Sequence, residues 1–155
     1  MTWERGEATI RDLIYEGTVE QVPASREQAD ALLAAAVRHL RSVETVVALD
    51  PEGAYAMMYD AARKALTAIL TNQGLRVTAK GGHVAIYAAV RAQLDPPLGK
   101  LLRPFQRMRI RRNEVEYPSA ASPGVTVEEV IEDLPKARDL IEVARKAIPQ
   151  MSVFQ

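Results

Sequence analysis

Arg112 stands where a hydrophobe is due. The apolar positions Leu101, Phe105 and Met108 recur at spacings of four and three, and the next members of that stripe are Arg112 and Val115. A guanidinium there must be paired, face a cleft or meet a second chain, because an unpaired buried charge is costly. The structural alternative is a salt bridge to an acid on a neighbouring helix, such as Asp60. The functional one is a planar cation free to bind phosphate or carboxylate through two nitrogens at once. Arg103, Arg107, Arg109 and Arg111 share the helix, and Ile110 and Tyr117 lie on its opposite face. A helix apolar on two sides is central in a bundle or covered by another chain, so some of these arginines project into a shared boundary.

Of the two histidines, His83 follows Gly81-Gly82 at a helix start beside Lys80. Free backbone N–H groups can meet an anion at such a place, and the alternative is a ring that hydrogen-bonds locally. His39 sits in mid-helix beside Arg38 and reads as a surface or interface residue. The chain has no cysteine, which excludes a thiol nucleophile, a disulfide framework and Cys-based zinc. Two histidines without an acid cluster make no metal site, so no metal or cofactor is expected. Gly81-Gly82 lacks the context of a phosphate-binding loop, and none of the serines sits in a nucleophile elbow. Glu128, Glu129, Glu132 and Asp133 read as a solvated face that complements a helix dipole.

These side chains belong to a chain of 155 residues whose 20 basic and 20 acidic groups cancel. The cancellation hides a division. Residues 1–75 carry a local −4, residues 76–112 a local +8, and residues 113–155 a local −4. A +8 block acts within a Debye length and suits a polyanionic partner. The length fits one domain, 1–155, with a core of its own. No apolar run approaches a membrane span, and no apolar leader follows Met1, so a cytoplasmic protein is expected.

The elements that must position these groups read as helices, with no strands. A first helix fits Trp3 to Glu16 with Gly17 as its stop. Ser25 with Gln28 forms a capping box that opens a helix buried through Ala29, Leu32, Leu33, Ala36, Leu40, Val43 and Val47. Asp50-Pro51 opens a third, buried through Tyr55, Met58, Ala62, Ala65, Leu66 and Ile69 and ended by Gly74. A fourth carries Val84, Ile86, Tyr87, Val90 and Leu94 up to the Asp95-Pro96-Pro97 turn. The basic helix spans Gly99 to Tyr117, kinked or restarted at Pro104. Thr126 with Glu129 opens the last, through Val130, Leu134, Ala137, Ile141, Ala144 and Ile148, with a bend due at Pro135.

Arg111-Arg112-Asn113-Glu114-Val115-Glu116-Tyr117-Pro118, closing a basic helix, resembles the signature helix of the HEPN family (higher eukaryotes and prokaryotes nucleotide-binding). Ala54-Tyr55 through Tyr59-Asp60-Ala61-Ala62-Arg63-Lys64-Ala65 resembles that family's second core helix, and Gln73-Gly74-Leu75-Arg76 with Gly81-Gly82-His83 its following turn and helix start. The likeness covers residues 25–148, with 1–24 as an N-terminal helix and connection and 149–155 as a tail. It implies a five- to six-helix all-α bundle, in agreement with the periodicity.

The resemblance also implies RNA- or nucleotide-directed work. Many members of the family are metal-independent endoribonucleases of toxin–antitoxin or defence modules, often beside a nucleotidyltransferase-type antitoxin. They dimerise so that an arginine, a polar residue and a histidine after four to six intervening positions line a shared cleft. Arg112 and Asn113 match the first two, but the third position offers Tyr117, Pro118 or Ser119 and no histidine. Tyrosine, with an ordinary pKa of about 10, is a poor base near neutrality. If the chain cleaves RNA, the roles fall to Arg112 and Arg111 on phosphate charge, Asn113 in orientation, and Tyr117 or His83 in proton transfer. Arg103, Arg107, Arg109, Arg111 and Lys80 are the implied nucleic-acid contacts. The motif as it stands supports RNA or nucleotide contact better than turnover. The competing expectation is a non-catalytic dimerisation or partner-binding module that has lost the histidine.

Overall fold

Three helices begin where a short polar side chain accepts a free backbone N–H. In the computed structural model, which describes residues 3–155, Ser25 Oγ accepts from Gln28 N at 3.1 Å, Asp50 Oδ1 from Gly53 N at 3.0 Å and Thr126 Oγ1 from Glu129 N at 3.2 Å. They start α2 (Arg26–Val46), α3 (Pro51–Gln73) and α7 (Val127–Ala147) respectively. The first helix, α1 (Glu7–Tyr15), begins later than Trp3 because Gly6 is left-handed at φ 75°, which no helix continues through. The fourth is α4 (Gly82–Leu94).

The basic stretch forms two elements, α5 (Gly99–Leu102) and α6 (Pro104–Glu116). Pro104 has no N–H to continue α5 and occupies the first position of α6, where none is needed. Pro135 is exposed inside α7, which continues through it. With α5 and α6 counted as one broken helix, six helices among the described residues make an all-α bundle. A 3₁₀ turn follows at Ile148–Gln150. Among the described residues no helix is long and apolar enough to cross a membrane.

α3 is the axis. It packs against α2, α4, α6 and α7, and Ala54, Ala61, Ala62, Ala65 and Ala68 are buried along it, small enough to let neighbours approach closely. The anticipated apolar faces of α3 and α7 are buried as predicted, and so is that of α4 except for Val84, which is 52 % exposed. Leu32 and Leu33 of α2, and Val47 just past its end, are only partly buried but pack against the core.

Three expectations need correction. The chain does contain strands: β1 (Val19–Gln21) pairs antiparallel with β2 (Leu75–Val77), Val19 opposite Val77 and Gln21 opposite Leu75. The core extends outside 25–148, since Ile10 and Val19 are buried within it. Residues 149–155 are no loose tail: Met151 and Phe154 are buried, and Phe154 N donates to Gln73 O at 2.9 Å.

The small sheet matters because of what it holds. Thr78, just past β2, donates its N–H to Thr18 O at 3.0 Å and its hydroxyl to Gly17 O at 2.6 Å. Its own hydroxyl oxygen accepts from Gly81 N at 3.3 Å. Lys80 Nζ donates to Glu16 O at 2.8 Å. The loop between β2 and α4, which leads into Gly82 and His83 at the start of α4, is thereby tied to the residues just after α1.

Candidate functional site

Three buried rings carry the core out to one open hollow. Tyr87 of α4 stacks on Phe105 of α6 at 6.2 Å between centroids, and Phe105 stacks on Tyr59 of α3 at 5.4 Å. Such offset aromatic packing fixes ring planes more firmly than aliphatic contacts do. At the outer end of this row, the Arg112 guanidinium lies over the Tyr59 ring, 6.0 Å from its centroid. His83 tilts against the same tyrosine at 5.6 Å. The Tyr59 hydroxyl and His83 Nδ1 are 2.7 Å apart.

These groups line a hollow of about 500 Å³, together with Asp60, Arg63 and the partly buried Met57. A groove of about 520 Å³ elsewhere is lined by Leu94, Leu98, Leu101 and Val143 together with Arg5, Asp139, Glu142 and Lys146, but has no histidine and none of the residues expected at the site except the apolar-stripe Leu101. The chemistry therefore gathers at the hollow.

Asp60 does not reach for Arg112. Arg63 holds its carboxylate at 2.6 Å and Lys64 at 2.9 Å, with His39 Nε2 at 3.6 Å. Burial disfavours the Asp60 anion, but the hydrogen bonds from Lys64 and Arg63 outweigh it and keep the carboxyl below its usual range. His39 is a half-buried member of this cluster, its Nε2 beside Lys64 Nζ. Burial first, then the Lys64 charge, lower its pKa.

Among the described residues the one acid within salt-bridge reach of Arg112 is Glu116, one turn on, at 3.8 Å. The Arg112 side chain remains 33 % exposed, in the hollow. The outward position on an otherwise apolar stripe thus leads to a cleft and not to a core salt bridge.

Electrostatics sets the state of the other groups. Burial pushes the Tyr59 phenol up to about 12, so it is protonated near neutrality. Burial, then the positive fields of Arg63 and Arg112, push His83 below its usual value. His83 is accordingly a neutral imidazole at pH 7, in the field of Arg63 and Arg112.

The other anticipated site residues fall elsewhere. Arg107 grips Asp133 across the helix interface, and Arg111 grips Glu129 at 2.6 Å and Glu114 at 2.9 Å. Glu129 and Asp133 are therefore not members of a solvated acidic face, and Asp133 is only 1 % exposed. Arg109 donates to Gln106 at 3.2 Å, and Arg103 is exposed where α5 meets α6. Lys80 is spent on the Glu16 carbonyl. Asn113 is exposed, and Tyr117 ends α6 with 80 % of its surface in solvent, outside the lining of the hollow. Only Arg112 and His83 of the expected set line it.

Tyr59 and Arg63 are the residues that sequence reading missed. A signal existed: Asp60, Arg63 and Lys64 put three charges at positions i, i+3 and i+4 on a helix otherwise read as core. Among the described residues no group of three or more His, Cys, Asp or Glu is placed to hold a metal ion. No family model matches the chain, and no curated protein or solved structure matches it.

Proposed function

We propose that this chain is an RNA- or nucleotide-facing protein of HEPN type, whose hollow receives a phosphate of its ligand. The observation that carries this reading is the convergence of Arg112, Arg63 and the neutral ring of His83 on one open hollow of about 500 Å³. Arg112 supplies charge and a forked donor for phosphate oxygens, Arg63, held to Asp60 through Nε and Nη2, has Nη1 left to add, and Met57 supplies an apolar wall for a base or sugar. The all-α bundle and the position of Arg112-Asn113 at the end of a basic helix agree with the HEPN resemblance. On that reading the protein works as a homodimer in the cytoplasm, beside a nucleotidyltransferase-type antitoxin, in a toxin–antitoxin or defence module.

A second reading, metal-independent endoribonuclease, is favoured by one observation: His83 supplies to the hollow the imidazole that the motif lacks at Tyr117. Cleavage would need that ring to take the 2′-hydroxyl proton as the 2′-oxygen bonds to phosphorus, and the imidazolium so formed or water to protonate the departing 5′-oxygen, while Arg112 and Arg63 hold the crowded phosphate.

Purified protein mixed with tRNA and total RNA in EDTA, beside an Arg112→Ala variant, tests both. Binding that is lost in the variant supports the phosphate site, and accompanying cleavage adds the ribonuclease. Equal RNA binding by both proteins would overturn the assignment of Arg112.

A further inference from the structure

We infer that Tyr59 is the positioning residue of this hollow: its hydroxyl donates to His83 Nδ1 and so places the imidazole proton on Nε2, the nitrogen left to the ligand. The inference rests on the phosphate reading for the ligand but stands on its own geometry. The two atoms are 2.7 Å apart. Among the described residues the Tyr59 hydroxyl has no other hydrogen-bond partner, and the residue is 1 % exposed. A proton on Nδ1 would therefore turn the phenol oxygen into an acceptor and leave the O–H without an acceptor in the protein, at the cost of a buried unsatisfied donor. A proton on Nε2 satisfies both groups with one bond.

The rest of the site enforces this arrangement. Tyr59 cannot swing away, because its ring is stacked on Phe105, itself stacked on Tyr87. The backbone that carries His83 is anchored as well: Gly81 N and Gly82 N donate to Thr78 O, and Thr78 is tied to Gly17 and Thr18. The charged groups around the ring are Arg63 and Asp60 of α3 and Arg109 and Arg112 of α6, and the cations outnumber the acid. They favour a neutral ring, which then meets a phosphate oxygen as an N–H donor beside two guanidinia. A general base would need the opposite tautomer, with Nε2 bare.

The test is the nitrogen-15 spectrum of His83 in the full chain, with inorganic phosphate and a short single-stranded RNA as probes, in wild type and Tyr59→Phe. Phenylalanine keeps the stacked ring and removes only the hydroxyl. Wild type should show a protonated Nε2 and a hydrogen-bonded bare Nδ1, and the Nδ1 signal should move in Tyr59→Phe. Affinity for both probes should fall about threefold to tenfold, the worth of one hydrogen bond. Tyr87→Phe, which removes a hydroxyl from the far ring of the row, beyond Phe105, should leave the His83 signals unchanged. A proton on Nδ1 in wild type, or a Nδ1 signal indifferent to Tyr59→Phe, overturns the inference and makes His83 available as a base. If wild type takes up neither probe while the Nε2–H signature depends on Tyr59, the phosphate reading fails and the role of Tyr59 stands.

Discussion

Arg107 meets Asp133 with both terminal nitrogens, Nη1 on Oδ2 at 2.9 Å and Nη2 on Oδ1 at 2.5 Å. The Tyr55 hydroxyl donates to the same Oδ2 at 3.0 Å, and Lys136 approaches Oδ1 at 3.4 Å. One buried carboxylate thus ties α3, α6 and α7 together. Burial opposes its ionisation, but the bonds from Arg107 and Tyr55 hold it below the usual carboxyl range, and burial with the nearby anion pushes the Tyr55 phenol up. Arg107 precedes Arg112 by five residues on α6, so the clamp adds to the buried Phe105 and Met108 in holding the helix that carries Arg112.

Arg107→Ala should therefore destabilise the fold by about 2–3 kcal/mol, because it strips two charge-assisted bonds from a carboxylate that stays buried. Denaturant midpoints measure it. In wild type the contribution is whole above the ordinary carboxyl value of about 4 and is lost as pH falls through the depressed folded value. Asp133→Asn should be less stable at pH 7 and less sensitive to acid below pH 4. An Arg107→Ala protein as stable as wild type would show the clamp to be idle.

The histidines set a second window. Both His39 and His83 titrate below their ordinary value of about 6.5 in the folded chain, each through burial first and then nearby cations. An unfolded chain then binds the extra protons sooner, so stability is full above about pH 6.5 and declines as pH drops through the folded values. Midpoints measured between pH 7.5 and 5.5 should fall in wild type and fall less in His39→Gln and in His83→Gln. The carboxylates of Asp60 and Asp133 act lower, which keeps the two windows apart.

What could be read in advance was local. Ser25, Asp50 and Thr126 act on N–H groups three residues away, so their caps are visible in a short window of sequence. The restart at Pro104 is likewise a property of one ring and its neighbours. β1 and β2 escaped because each has three residues and its partner lies 54 to 58 positions away; no alternation can show in so short a run. The site divides in the same way. Arg112 betrays itself by breaking a helical period, but nothing in the local pattern says that Arg107 and Arg111 will find Asp133 and Glu129 across an interface. Tyr59 looks like any core aromatic until α4 brings His83 to it.

Glycine replacements separate backbone conformation from close approach. Gly17 and Gly74 share a φ of 80°, which costs an L-residue about 1–2 kcal/mol. An added Cβ meets nothing within 4 Å at Gly17 but would sit 2.7 Å from Val22 O at Gly74. Gly74→Ala should cost clearly more than Gly17→Ala in thermal or denaturant unfolding, because it also pushes away the segment that follows β1. Equal losses would mean that the contact between Gly74 and Val22 yields without cost.

The two adjacent arginines should behave as opposites. Arg111 is 13 % exposed at its side chain and pinned to Glu129, Glu114 and the Pro123 carbonyl, so Arg111→Ala should lower stability by about 1–3 kcal/mol and open the end of α6. Arg112 has one long contact to Glu116 and the face of Tyr59, so Arg112→Ala should leave the denaturant midpoint within about 0.5 kcal/mol of wild type. RNA binding should respond in the reverse order. If Arg112 contacts a phosphate of single-stranded RNA, its loss should reduce the slope of log affinity against log salt by about 0.7, one released counterion. Arg111→Ala, assayed where it remains folded, should keep the wild-type slope. A salt slope that falls for Arg111→Ala and holds for Arg112→Ala would move the phosphate contact off the hollow and onto the outer surface of α6.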